Sequence, residues 1–166
     1  MRNNYPNYKF LSSTTKCLLN NNDIIQEAKK YYLTVLDYRK NQDMDFLESL
    51  PDKTNFEILI NAYCDPNCLF RKQHYDRLSQ LQLNNSMEEG DIFCNGLCHS
   101  FFDALNLSSV IKVDDLYTTY TNLGFIHFKI EGRTINIIDV LESYLYYMVK
   151  PQYKDMIRYE VLKQLF

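Results

Sequence analysis

The chain has 166 residues, 18 Lys and Arg against 21 Asp and Glu, 46% hydrophobic and 23% charged residues, and a formal net charge of −3. That balance gives no overall electrostatic footprint for nucleic acid, and no apolar run approaches the ~20 residues that cross a bilayer. The expectation is a single domain over residues 1–166, long enough for a core but short for a complete eight-fold barrel. It is expected in the cytoplasm, because no apolar signal core follows a basic start and five cysteines suit a secreted disulfide framework poorly.

Short β-rich runs alternate with helical stretches. Residues 10–13 predict a strand, and the run of asparagines at 20–22 leads into a helix over 23–32. Residues 33–37 predict a second strand and 44–50 a short helix. The run 56–61 is the clearest strand and ends just before Cys64. A helix over 66–83 follows, then a polar stretch at 84–91. Residues 110–113 predict a fourth strand, with Asp114 or Asp115 capping the next helix, and 125–131 a fifth. Asn136 caps a helix that runs to Lys150, Pro151 breaks it, and a last helix ends at Phe166. Five successive strand–helix units predict an α/β fold with a parallel sheet, read as a partial, five-strand TIM-barrel-like domain. The segment 84–109 is longer than a plain connection needs, which marks it for the active face.

Four of the five cysteines form two CxxxC pairs, Cys64/Cys68 and Cys94/Cys98. Thiolates from two separate loops can converge on one soft metal centre, iron or zinc, in a way Ser, Asp or Asn cannot imitate. Asp65 as N-cap and Pro66 as first helical residue would place Cys64 just before a helix and Cys68 in its first turn, where the helix dipole favours the thiolate. The alternative is that these are small buried hydrophobes, since CxxxC is a looser signal than CxxC.

Strand periodicity sorts the other polar groups. Phe56, Ile58 and Ile60 share one face of their strand, with Glu57, Leu59 and Asn61 on the other. Ile126, Phe128 and Ile130 oppose His127, Lys129 and Glu131 in the same way. Asn61, Lys129 and Glu131 thus fall near the carboxyl ends of strands, where sites form in barrels and open sheets. An internal Lys129–Glu131 pair without chemistry is the competing reading. Ile137, Leu141, Tyr144, Leu145 and Met148 follow helical spacing and predict a core-facing stripe, with Tyr146 and Tyr147 packing beside it. Cys68 and His74 lie six positions apart on one predicted helix, about 9 Å of rise, and diverge too far for a nucleophile–base pair. His99, directly after Cys98, is a candidate ligand or a neighbour of one.

Taken together these residues resemble a known family. The strand ending Phe128-Lys129-Ile130-Glu131-Gly132-Arg133 is similar to the Lys-Ile-Glu-Gly-Arg motif of the collagenase-like peptidase family (peptidase family U-32), where a Tyr-rich helix follows, as residues 142–147 do here. The run from Glu57 to Asn61 through Cys64, Cys68, Arg71, His74 and Tyr75 resembles an uncharacterised branch of that family, with Leu69 where Pro is usual. The resemblance implies either a peptidase or an iron–sulfur protein of the kind that hydroxylates tRNA uridine or a quinone precursor without oxygen. On the second reading Cys64, Cys68, Cys94 and Cys98 hold a four-iron, four-sulfur cluster, with Cys17 as a substitute for any of them. Glu131 and Arg133 line the site, and Lys129 pairs inside the barrel. Family members carry further strands before the point where this chain begins, which implies the C-terminal portion of a longer barrel, completed by another chain or by self-association. Three functions follow: an iron–sulfur enzyme or remnant of one, a collagenase-like hydrolase, and a zinc-stabilised binding module without chemistry of its own.

Overall fold

Residues 5–85, 100–131 and 136–165 are described by the computed structural model. Among them, four short strands run parallel: β1 (Leu11–Ser12), β2 (Leu33–Val35), β3 (Phe56–Leu59) and β4 (His127–Lys129). Their spatial order is β1-β2-β3-β4, so each new strand adds to the edge left by the last. The register aligns Leu11 with Leu33, Thr34 with Phe56, and Ile58 with Phe128. A parallel ladder needs long crossovers, and the first two carry α1 (Asn21–Ala28) and α2 (Met44–Ser49). Side chains start both helices. Asn20 accepts from the amides of Asn22 and Asp23, and Asp43 from that of Phe46.

The third crossover is the longest. It holds α3 (Arg71–Leu83), α4 (Phe101–Ala104), and α5 (Val113–Asp115), which widens into a π-helical turn over Leu116–Tyr120. Gly124 then takes φ +100°, a conformation that favours glycine, and turns the chain into β4. After β4 come α6 (Ile137–Met148), capped by Asn136, and α7 (Lys154–Leu165).

Phe56, Ile58 and Ile60 stand on one face of β3 in the main core, among Ile24, Leu36, Phe46, Phe101 and Ile111. The opposite face is also covered: Leu59 packs with Tyr38 and Ala62. Burial on both faces is what a parallel sheet between layers demands.

The structure departs from the sequence expectation in several places, among them Asp114 and Asp115, which lie within α5 behind Lys112 at its N-cap instead of capping it. Residues 110–113 do not form a strand. Ile111 donates its amide to the Ile60 carbonyl at 3.0 Å, the Tyr147 hydroxyl reaches the Ile111 carbonyl at 2.9 Å, and α5 begins at Val113, so the chain turns before a ladder forms. The sheet among the described residues therefore has four strands instead of five. Ile126 is 64% exposed, because β4 begins only at His127, whereas Phe128 and Ile130 do pack on the core. On α6 the predicted stripe is rotated. Leu145 is buried, but Ile137, Tyr144 and Met148 are exposed, while Asp139, Glu142, Ser143 and Tyr147 are buried. Polar groups on that inner face find partners: Asp139 accepts from the Phe101 amide at 2.7 Å, and Arg158 of α7 forks onto Glu142 at 2.5 and 2.9 Å. Hydrophobic spacing alone misses a face held by hydrogen bonds.

Candidate functional site

Three strand ends deliver a cluster of charged, aromatic and sulfur groups. After β1, Ser13 caps a single 3-10 turn, Thr14–Lys16, which closes on Cys17 in the left-handed region at φ 53°. After β2, Asp37 caps a second such turn, Tyr38–Lys40, by accepting from the Arg39 amide at 3.0 Å. The same carboxylate takes a bidentate fork from Arg39, with Nε to Oδ1 at 2.8 Å and Nη2 to Oδ2 at 3.0 Å. After β3 comes the turn that carries Cys64 and Cys68.

Arg71 ties the three together. It is the first residue of α3 and only 4% exposed. Its Nε lies 3.4 Å from Asp37 Oδ2, yet makes no hydrogen bond among the described residues. Its Nη2 reaches Thr14 Oγ1 at 3.5 Å, the outer limit of a hydrogen bond. The guanidinium is sandwiched by two rings, 4.2 Å from the Tyr38 centroid and 4.8 Å from that of Tyr75.

The thiols respond to this setting. Burial pushes the Cys17 thiol up, and the charge and N–H groups of Arg71 pull it back. Burial likewise pushes Cys64 up, opposed by the Tyr38 hydroxyl and by Arg71, while Cys68 adds to the rise. One guanidinium therefore acts on two sulfurs from different strand ends. The Tyr75 phenol is raised by burial and by Glu131, Cys64 and Cys17, with Arg71 working against them. Tyr38 is held neutral chiefly by burial, and its hydroxyl donates to the Asp65 carbonyl at 3.1 Å.

The expected helix start at Asp65 and Pro66 is not realised. Asp65 instead makes a local turn, its side chain accepting from the Asn67 amide at 2.8 Å and its carbonyl from the Cys68 amide at 3.0 Å. The α-helix opens only at Arg71, after Phe70, which provides no side-chain cap. Cys64 and Cys68 thus lie on the turn ahead of the helix, and the guanidinium, not a helical first turn around Cys68, is the positive group beside Cys64.

Other predicted residues divide. Cys94, Cys98, His99 and Arg133 lie outside the described residues. Lys129 is half-buried in β4, and Glu131 follows that strand, near enough to act on Tyr75. Asn61 is fully buried. It clamps the Glu131 backbone, accepting from its amide at 2.6 Å and donating to its carbonyl at 2.9 Å. Sequence reasoning missed Asp37, Tyr38 and Arg39. Their signal was an Asp-aromatic-Arg triplet directly after a β-rich run, at the position where sheet folds place their chemistry.

Among the described residues no group of three or more His, Cys, Asp or Glu is placed to hold a metal ion. Cys64 and Cys68 supply two neighbouring thiols with polar donors and a counter-charge, a fit to a thiolate-bound group that is chemical in kind and covers half of a four-sulfur ligand set. Compared with known proteins, the chain matches no family model, no curated protein and no solved structure. No helix among the described residues is long and apolar enough to cross a membrane.

Proposed function

We propose that the chain is an iron–sulfur-cluster protein resembling the collagenase-like peptidase family, with Cys64, Cys68, Cys94 and Cys98 as the cluster thiolates. The observation that supports it most is the pair Cys64 and Cys68 on one turn past the carboxyl end of β3, with the Tyr38 hydroxyl and the Arg71 guanidinium beside Cys64. Thiolate ligation accumulates negative charge, which a buried guanidinium offsets, and donors to sulfur tune such centres. When bound, a cluster supplies one-electron chemistry, in the manner of an oxygen-independent hydroxylase or RNA-modifying enzyme. The chain's own residues hold the setting. Arg71 supplies the counter-charge, Tyr38 lies beside Cys64, and by the family resemblance Glu131 and Arg133 line the site while Lys129 pairs inside the barrel. The four parallel strands belong on this reading to a partial barrel, completed by a second chain or by self-association, and working in the cytoplasm.

Iron, acid-labile sulfide and zinc content of anaerobically purified protein, with its visible spectrum, tests the reading. About four irons and four sulfides per chain are expected, with the colour lost in Cys64→Ser. About one zinc and a colourless protein would replace this reading with the zinc-stabilised binding module. Peptide cleavage that survives metal removal and disappears in Glu131→Gln would replace it with the hydrolase.

A further inference from the structure

Two arginines share one carboxylate at this site, and the sharing is unequal. Arg39 occupies both oxygens of Asp37 with a short fork, whereas Arg71 lies 3.4 Å from one of them without a hydrogen bond from its Nε. The other side-chain partners of Arg71 among the described residues are a threonine hydroxyl at 3.5 Å and two tyrosine rings. Burying two cations against one carboxylate is costly, and a guanidinium carries five donors in a planar fork suited to an acid group. Arg71 is also the first residue of α3, a helix of 13 residues with no side-chain cap, and the start of a helix carries the positive end of its dipole.

We propose that Arg71 and the uncapped start of α3 form a binding site for an acid group, a carboxylate or a phosphoryl group, borne by a small-molecule ligand or substrate. The anion supplies the charge that Arg39 has taken from Arg71. It docks beside Cys17 and Cys64, at the carboxyl ends of β1 and β3, and accepts from the guanidinium and from the first amides of the helix. The site needs no metal: the anion takes up the excess of two guanidinia over the one carboxylate of Asp37.

The test is a titration of the full chain with inorganic phosphate in one arm and acetate in the other, at constant ionic strength set by chloride. Amide and guanidinium NMR shifts and the thermal midpoint are the readouts. Saturable shifts at Arg71, Lys72 and Gln73 are expected, and the arm that saturates at lower concentration identifies the phosphoryl or carboxylate class. Arg71→Gln should weaken binding about tenfold or more, and Arg71→Lys by less, since it keeps the charge but loses the fork. Arg39→Gln is the decisive second variant, informative even where Arg71→Gln fails to fold. It leaves the anion's contacts untouched but frees Asp37 to pair with Arg71, so anion affinity should fall several-fold while circular dichroism stays unchanged. Equal responses in wild type and Arg39→Gln, or a response to chloride alone, would overturn the proposal. Iron measured on the same samples separates the two readings: iron-loaded protein without anion binding sinks only this one, and anion binding without iron sinks only the cluster.

Discussion

Two buried polar regions sit within this small fold, and they are built on opposite rules. Where β3 and β4 end, Asn61 brackets the Glu131 backbone through two bonds of 2.6 and 2.9 Å, and the hydroxyls of Tyr63 and Ser143 pair beside it at 3.1 Å. Alongside, the Tyr147 hydroxyl lies 3.1 and 2.9 Å from the carbonyls of Ile60 and Ile111, and Asn41 donates to those of Leu59 and Ser109 at 2.8 and 2.7 Å. These groups are neutral and mostly short-range, and among them the Asn41 Oδ1 is the atom without a partner among the described residues. Around Arg71 the contacts are longer, two guanidinia share the Asp37 carboxylate, and the Nε donor goes unused among the described residues. A matched buried network fixes geometry, whereas an unmatched one costs stability and persists where it serves something else. The first region is architecture and the second is the candidate site.

The hardest test of that contrast is Asn61→Leu. It removes the side chain that bonds both the amide and the carbonyl of half-buried Glu131 and leaves the pocket of a fully buried polar group to an apolar one, so the expected loss is about 3 kcal/mol in urea unfolding. A loss below ~1 kcal/mol would mean the bracket is ornamental. Tyr147→Phe is milder, since it removes one hydroxyl shared by two carbonyls, and about 1–2 kcal/mol is expected from the same measurement.

What the sequence discloses follows the same division. Alternation along 56–61 located β3 and its core face, because apolar burial leaves a period that can be read. Asn136 was legible as a cap, and its side chain accepts from the Asp139 amide at 3.0 Å. The buried polar groups were not legible. Asn61 has the same letter whether it lines a pocket or braces a strand, and only the register that puts Glu131 beside it decides. Arg71 begins a helix that reads as largely polar, so nothing local distinguishes it from a solvated residue. Its burial comes from Thr14, Asp37 and Tyr38, 57 to 33 positions away in the chain. Cys17 joins the site only because a 3-10 turn ends in a left-handed residue that hydrophobic patterning does not announce.

Charge at the rim of the site gives a smaller, pH-resolved test. Glu27 of α1 is 8% exposed and is bonded by Lys16 and, at 3.0 Å, by the Ser12 hydroxyl. The Lys16 bond draws its carboxyl below the ordinary carboxylate value, burial opposes the shift, and Ser12 adds to it. A lowered folded-state value means the contribution is complete above the unfolded carboxylate value and is lost as pH falls through the folded one. Glu27→Gln should therefore cost about 1 kcal/mol at neutral pH, limited by the exposure of Lys16, and the gap from wild type should close on acidification. A gap that holds constant down to acid would show that packing, not charge, sets the contribution of this residue.

The smallest expected effect discriminates most between the two regions. Arg71→Met keeps the stem that packs on Tyr38 and Tyr75 and removes the charge. Asp37 does not become an orphan, since Arg39 already holds both of its oxygens. Replacing an under-matched buried ion by an apolar side chain of similar length is often neutral or stabilising. Urea unfolding should accordingly shift by less than ~1 kcal/mol, in either direction, while phosphate or acetate binding disappears. A loss as large as that of Asn61→Leu would move Arg71 into the architectural class and leave the three strand ends held together by its charge rather than prepared for a ligand's.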